Sequence, residues 1–147
     1  RRIPSCRCLW CTKLGSFSNI CRAGLILYFI KTTNMSNLVK EFNDYRTRMN
    51  EVILSKDNLV IKRLWNLDTN TYAAGALDVK TKELLGLVAS MVLRCDDCIK
   101  YHLGKAHELG VNTEAMYEVF AVANIVGGTI VIPHTRRAAE YWEELTT

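Results

Sequence analysis

The stretch from Glu83 to His102 gathers a carboxylate, two thiols and an imidazole in one short span. Cys95 and Cys98 have the Cys-x-x-Cys spacing at which a helix start carries a reversible disulfide. His102 follows Cys98 by four residues, one turn along the same helix face. A thiolate attacks and a neutral thiol does not, so this chemistry needs something to lower a thiol pKa that starts near ~8.5. The positive end of the helix dipole, the neighbouring Arg94 and a proton acceptor at His102 all act in that direction. Asp96 and Asp97 suit a helix N-terminus, yet their charges disfavour a neighbouring thiolate, and residue types alone do not give the sign of the net effect.

Glu83 constrains how the chain folds. It precedes Cys95 by twelve residues, which is ~18 Å on one continuous helix at a rise of ~1.5 Å per residue, too far for contact. If one helix ends near Leu93 and a second runs back antiparallel from Cys95, Glu83 lies ~15 Å down the first and His102 ~13 Å down the second. The levels match. The spacing therefore predicts a carboxylate–imidazole contact, direct or through water, that fixes the imidazole tautomer and raises its basicity.

Taken alone, the same residues leave other readings open. Cys95 and Cys98 also read as two buried small residues, or as half of a zinc site to which Glu83 or His107 would add a ligand, although no second cysteine pair follows. Glu83 by itself is an ordinary first-turn helix residue, and His107 and His134 read as structural.

The order Glu83, Cys95-x-x-Cys98, His102, Gly110 and Gly127-Gly128, with the phrases GALDVKTKELLGL at Gly75 to Leu87 and IPHTRRA at Ile132 to Ala138, resembles the carboxymuconolactone decarboxylase superfamily. Within it the likeness is to the alkylhydroperoxidase D-like branch, over roughly Met35 to Leu145. The resemblance implies that Glu83, Cys95, Cys98 and His102 are catalytic, a proton relay serving a disulfide-forming site. One position departs from the pattern: alkylhydroperoxidase D has a histidine just before its second cysteine, where this chain has Asp97. The expected activity is a thiol-dependent oxidoreductase that reduces a hydroperoxide or a partner's disulfide and is restored by a thiol or dithiol reductant, with no cofactor and no metal. The alternatives are a lyase like the superfamily's decarboxylases, which need no cysteine pair, and a non-catalytic helical assembly module.

The elements that must position these groups read as helices, making an all-α, single-domain bundle. Ser36 is the expected cap of a first helix with apolar residues Leu38, Val39, Phe42, Tyr45, Met49, Val52 and Ile53 at a 3.6-residue rhythm. A turn at Ser55 to Asn58 precedes a short apolar helix at Leu59 to Leu67, and Asn70 to Ala76 reads as a short helix or loop. Asp78 caps the helix of Glu83, which is expected to bury Leu84, Leu85, Val88, Met91 and Val92. The cysteine helix ends near Leu109 with Gly110 in a left-handed conformation. Asn112 or Thr113 caps the next helix, whose expected apolar stripe is Val119, Val122, Ala123 and Val126. Pro133 opens a last one ending near Leu145. Leu59 to Ile61 and Ile130 to Ile132 are rich in β-branched residues but too short to found a sheet.

Charge divides the chain. Residues 1–34 carry six of the nineteen Lys and Arg and no acidic residue, whereas residues 35–147 are near −2. The second part therefore offers no basic face for phosphates, and nucleic acid is not an expected partner. The first 34 residues also hold four of the six cysteines and read as a non-native or dispensable extension of a domain over 35–147, ahead of a transit peptide or a metal-binding arm. The apolar run Ala23 to Ile30 is too short for a bilayer that needs ~20 residues, so no membrane partner is expected. One small domain has limited core, which favours a homo-oligomer; the resemblance implies a hexamer or trimer. A dithiol that must be re-reduced is expected in the cytosol.

Overall fold

The structure is a computed structural model that describes residues 37–147. The extension at residues 1–34 and the expected Ser36 cap lie outside the described residues. Six α-helices follow in order: α1 (Leu38–Leu54), α2 (Leu59–Tyr72), α3 (Val79–Val92), α4 (Asp96–Glu108), α5 (Thr113–Gly127) and α6 (Ile132–Thr146), with a 3-10 turn at Thr129–Val131 before α6. The described residues contain no strand. Leu59 to Ile61 opens α2, and Ile130 to Ile132 leads through the 3-10 turn into α6.

Local chemistry sets most of the boundaries. The Asp78 side chain accepts from Thr81 N at 2.7 Å and Asn112 from Ala115 N at 2.8 Å, each satisfying a donor that the first helical turn leaves free. Asn58 does the same for α2, accepting from Val60 N and Ile61 N. That helix continues past Leu67 to Tyr72, longer than the apolar run suggested, because the polar residues Asp68 to Thr71 stay on its exposed side. Gly110, at φ +68°, closes α4 with Gly110 N donating to His107 O and Val111 N to Ala106 O. The start of α1 is capped from a distance: Glu144 of α6 accepts from Leu38 N at 3.2 Å and Val39 N at 3.0 Å, where the Asn37 side chain makes no cap.

The core lies between the α3–α4 hairpin and the helices α5 and α6. Leu87 and Met91 meet Ile99 and Leu103, with Met116, Phe120 and Trp142 closing the other side. Each such side chain contributes ~1.5–3 kcal/mol by leaving water. Trp142 also donates its indole N–H to Thr113 Oγ1 at 3.2 Å, so its burial leaves no orphan donor.

Two of the expected apolar faces are met in part: Met91, with Leu84 and Val88 beside it, and Ala123, with Val119, pack on the core, while other expected members do not. In α3 the buried stripe is Glu83, Leu87, Ser90 and Met91, and Leu85 is 56% exposed. Leu85 sits about 100° around the helix from Leu84, off the face that the hairpin covers. In α5 the buried residues are Met116, Phe120 and Ala123, while Val122 and Val126 point outward at 52% and 66% exposure. That helix is apolar nearly all round, so periodicity did not single out the face that α3 covers. α2 buries none of its residues, leaving Leu59, Val60, Leu64 and Leu67 in the open.

Candidate active site

The reversal between α3 and α4 takes only Leu93 to Cys95. Arg94 N donates to Met91 O and Cys95 N to Ser90 O, the pair of bonds that closes a helix with a left-handed residue. Here that residue is Arg94, at φ +61°, where a side chain costs ~1–2 kcal/mol that glycine would avoid. Cys95 then occupies the N-cap of α4, and its Sγ accepts from Cys98 N at 3.4 Å in the place usually taken by a serine or aspartate oxygen. Cys95 and Cys98 are disulfide-bonded, with Cα atoms 5.3 Å apart. Cys98 is exposed and Cys95 half-buried.

One turn beyond Cys98, His102 turns inward and its Nδ1 meets Glu83 Oε2 at 2.7 Å, with both side chains less than a tenth exposed. The antiparallel reversal thus places the two groups in direct contact, as the helix lengths predicted. A carboxylate oxygen only accepts, so the bond assigns the hydrogen to Nδ1 and leaves the Nε2 lone pair for other work. Gly86 makes room for this ring: a Cβ there would lie 2.6 Å from His102 Cε1 and 2.6 Å from the Tyr72 hydroxyl. Tyr72 and Tyr101 flank the imidazole with ring centroids 5.4 and 5.3 Å away. Burial, reinforced by the charge of Glu83, pushes both phenols up, so they remain neutral donors at physiological pH.

A cavity of about 440 Å³ opens in front of this group. Phe42, Tyr45, Met49 and Ile53 of α1 form an apolar wall, and Cys98, Tyr101 and His102 of α4 face it. Arg46, Asn50, Asp68 and Asp97 supply the polar edge, with the Arg46 guanidinium 4.3 Å above the Tyr101 ring. Cys95 does not line this space. Asp97, the position that departs from the resemblance, is exposed at the rim and lies 3.8 Å from Lys100.

Sequence reasoning missed the cluster at the other side of the α4 start. His134, expected to be only structural, places Nδ1 2.7 Å from Asp96 Oδ1. Arg137 grips the same carboxylate with Nε to Oδ2 at 3.1 Å and Nη2 to Oδ1 at 3.2 Å. Partial burial works against ionisation of Asp96, but the bonds from His134 and Arg137 outweigh it and hold the carboxyl below the usual aspartate range. The i, i+3 spacing of His134 and Arg137 was the available signal; their target lies 38 residues away from His134 and was not. His107 packs edge-on to Trp142 with ring centroids 5.9 Å apart, a structural role. Among the described residues no group of three or more His, Cys, Asp or Glu is placed to hold a metal ion. None of the described helices is long and apolar enough to cross a membrane.

The described residues form a small all-helical domain in which a cysteine pair heads one helix of a hairpin, backed by a buried carboxylate–imidazole pair. Residues 59–141 match the carboxymuconolactone decarboxylase family, and the chain belongs to that family. Two crystal structures of one Thermotoga maritima protein are similar to it. The first is 53% identical at TM-score 0.70, covering 73% of this chain and 94% of that one. The second is 52% identical at TM-score 0.69, covering 72% and 90%. That protein is a member of the same family for which a part in antioxidative response has been suggested. An uncharacterized protein of the cox locus of Paracoccus denitrificans is 30% identical over 74 residues, half of this chain and 67% of its own length. A family protein of Legionella pneumophila, in its apo form, shares the fold at TM-score 0.65 and 24% identity, covering 76% of this chain and 96% of that one.

Proposed function

We propose that this protein is a thiol-dependent oxidoreductase of the alkylhydroperoxidase D-like kind, cycling Cys95 and Cys98 between dithiol and disulfide to reduce a hydroperoxide or a partner's disulfide. The observation that carries the reading is the disulfide-bonded pair at the head of α4, with Cys98 sharing a cavity wall with a His102 that is fixed from behind by Glu83. The suggested antioxidative part of the Thermotoga relative is consistent with it.

In the reduced protein, His102 Nε2 takes the proton of the Cys98 thiol. The thiolate attacks the terminal oxygen of the hydroperoxide; the O–O bond breaks, an S–O bond forms, and the alkoxide leaves as an alcohol with the proton returned by His102. The Cys95 sulfur then attacks the sulfenic acid on Cys98, the S–O bond breaks, hydroxide leaves as water with the Cys95 proton, and the disulfide forms. Two electrons pass from the thiols to the peroxide, and an external thiol or dithiol restores them by exchange. Exposure and the cavity favour Cys98 as the attacking sulfur, with the half-buried Cys95 resolving.

The open apolar residues of α2 and α5 support a homo-oligomer, trimeric or hexameric, in which these faces are covered. A cytosolic setting follows from the need for re-reduction. The deciding experiment titrates free thiols in the reduced protein before and after addition of cumene hydroperoxide and examines the Cys95–Cys98 peptide by mass spectrometry. Loss of two thiols per chain to an internal disulfide, with one alcohol formed, is expected. Unchanged thiols with excess peroxide remaining would sink the reading.

A further inference from the structure

The charged cluster of Asp96, His134 and Arg137 supplies no group to the thiol chemistry above, yet it sits at the head of the helix that carries the cysteines. Asp96 follows Cys95 directly, at the first position of α4. Its carboxylate is clasped by Arg137 through both oxygens, at 3.1 and 3.2 Å, and takes a third bond from His134 at 2.7 Å. A lone pair on His134 Nδ1 would repel a carboxylate at that distance, so the hydrogen is on Nδ1 and points at Asp96. Arg137 Nη2 also lies 2.8 Å from His134 Nδ1; with the hydrogen on Nδ1 this is a contact between two donors that share Asp96 Oδ1, not a hydrogen bond between them. His134 is mostly buried and Arg137 half-exposed, with side-chain exposures of 14% and 49%.

We propose that Arg137 and His134 are positioning residues for the cysteine pair: they clasp and offset the Asp96 carboxylate so that its charge does not oppose the Cys95 thiolate formed on reduction. The purpose of the device rests on the thiol chemistry proposed above. An unpaired carboxylate beside a thiol disfavours the thiolate, whereas a carboxylate joined to a guanidinium presents a dipole whose field falls off faster. On the cavity side Cys98 also faces Arg46 and Asp68, with the Glu83–His102 pair behind, and these are common to every variant below. Asp97 has Lys100 3.8 Å away, and Arg94 precedes the pair in the turn. Both carboxylates that follow Cys95 are therefore answered by cations, leaving the helix N-terminus and Arg94 to act on the thiols.

A purely mechanical tie between α4 and α6 would also use this cluster, and charge-changing variants separate the two roles. The full chain is reduced, and the pH profile of iodoacetamide alkylation is read for Cys95 and Cys98 separately by peptide mass spectrometry, with circular dichroism to verify folding. Asp96→Asn leaves the Arg137 cation unmatched and should move the Cys95 midpoint down by about half to one pH unit. Arg137→Gln leaves the carboxylate unmatched and should move it up by a similar amount, roughly a threefold to tenfold change in thiolate at neutral pH. Arg137→Lys keeps the charge without the two-pronged geometry and should stay near the unmodified protein, as should the double variant D96N/R137Q. Shifts of the same sign in Asp96→Asn and Arg137→Gln, or no shift in either, would overturn the proposal. If Arg137→Gln does not fold, the Asp96→Asn and Arg137→Lys profiles still decide it: a falling midpoint in the first with none in the second supports it, and any other pattern refutes it. Alkylation needs no turnover, so opposite shifts in a protein that never consumes hydroperoxide would keep this proposal and remove the functional reading.

Discussion

Glu83→Gln is the sharpest perturbation of the candidate site, because it keeps size and shape while removing the charge behind His102. The bond is 2.7 Å long and both partners are buried, Glu83 at 3% and His102 at 6% exposure. A hydrogen bond to a charged group contributes ~1.5–3 kcal/mol and a neutral one ~0.5–1.5, so the substitution gives up roughly 1–1.5 kcal/mol even if the amide oxygen still accepts from Nδ1. That alone is a factor of roughly 5–15 in any step that draws on the imidazole as a base. The amide also offers N–H groups, and one of them donating to Nδ1 would move the imidazole hydrogen to Nε2 and abolish the base; complete loss of such a group costs ~10²–10⁴. The expected outcome lies between, a slowing of roughly one to three decades in dithiol-supported hydroperoxide consumption. Thermal unfolding of the same variant should show a loss of about 1–2 kcal/mol, or roughly 5–10 °C in Tm, with the helical spectrum unchanged. A folded Glu83→Gln protein that consumes hydroperoxide at the unmodified rate would refute the relay.

Cys98→Ser should abolish the reaction, while Cys95→Ser should allow one oxidation that stalls as a sulfenic acid or mixed disulfide trapped by dimedone or a thiol probe; the reverse pattern would exchange the two roles. Gly86→Ala places a methyl 2.6 Å from His102 Cε1 and should displace the ring, costing about 1–3 kcal/mol and most of the activity. Gly104→Ala, with nothing within 4 Å of its new methyl, should instead stabilise by about 0.5–1 kcal/mol; comparing the two melting curves checks both. The pKa of Asp96 is lowered on folding, so its stabilising contribution is present above the ordinary carboxyl value near ~4 and is lost as pH falls further and the native carboxylate is protonated. Asp96→Asn should therefore flatten the acid side of the stability curve below about pH 4, measured by urea unfolding at successive pH values, and leave the pH dependence near neutrality unchanged.

The sequence by itself determined the helix start at Asp78, the next one to within Asn112 or Thr113, the stop at Gly110, and that Glu83 and His102 meet, directly or through water. These follow from rules that act within a turn or two: a side-chain oxygen finds a free amide, a glycine takes positive φ, and a fixed rise per residue brings two levels together once the chain reverses. Even the reversal at Arg94 was legible only in outline, since nothing about an arginine announces a left-handed conformation; the pull of the hairpin imposes it. Tertiary structure alone decided which shoulder of α3 and α5 faces inward, why Leu85, Val122 and Val126 lie outside, and that Glu144 caps a helix more than a hundred residues earlier in the chain. It also decided that Asp96 meets His134 and Arg137 and that α1 supplies the apolar wall in front of Cys98. An apolar period specifies a face only to within a shoulder, and a carboxylate's charge partner is whichever cation the packed helices bring near it, so neither is written in local spacing.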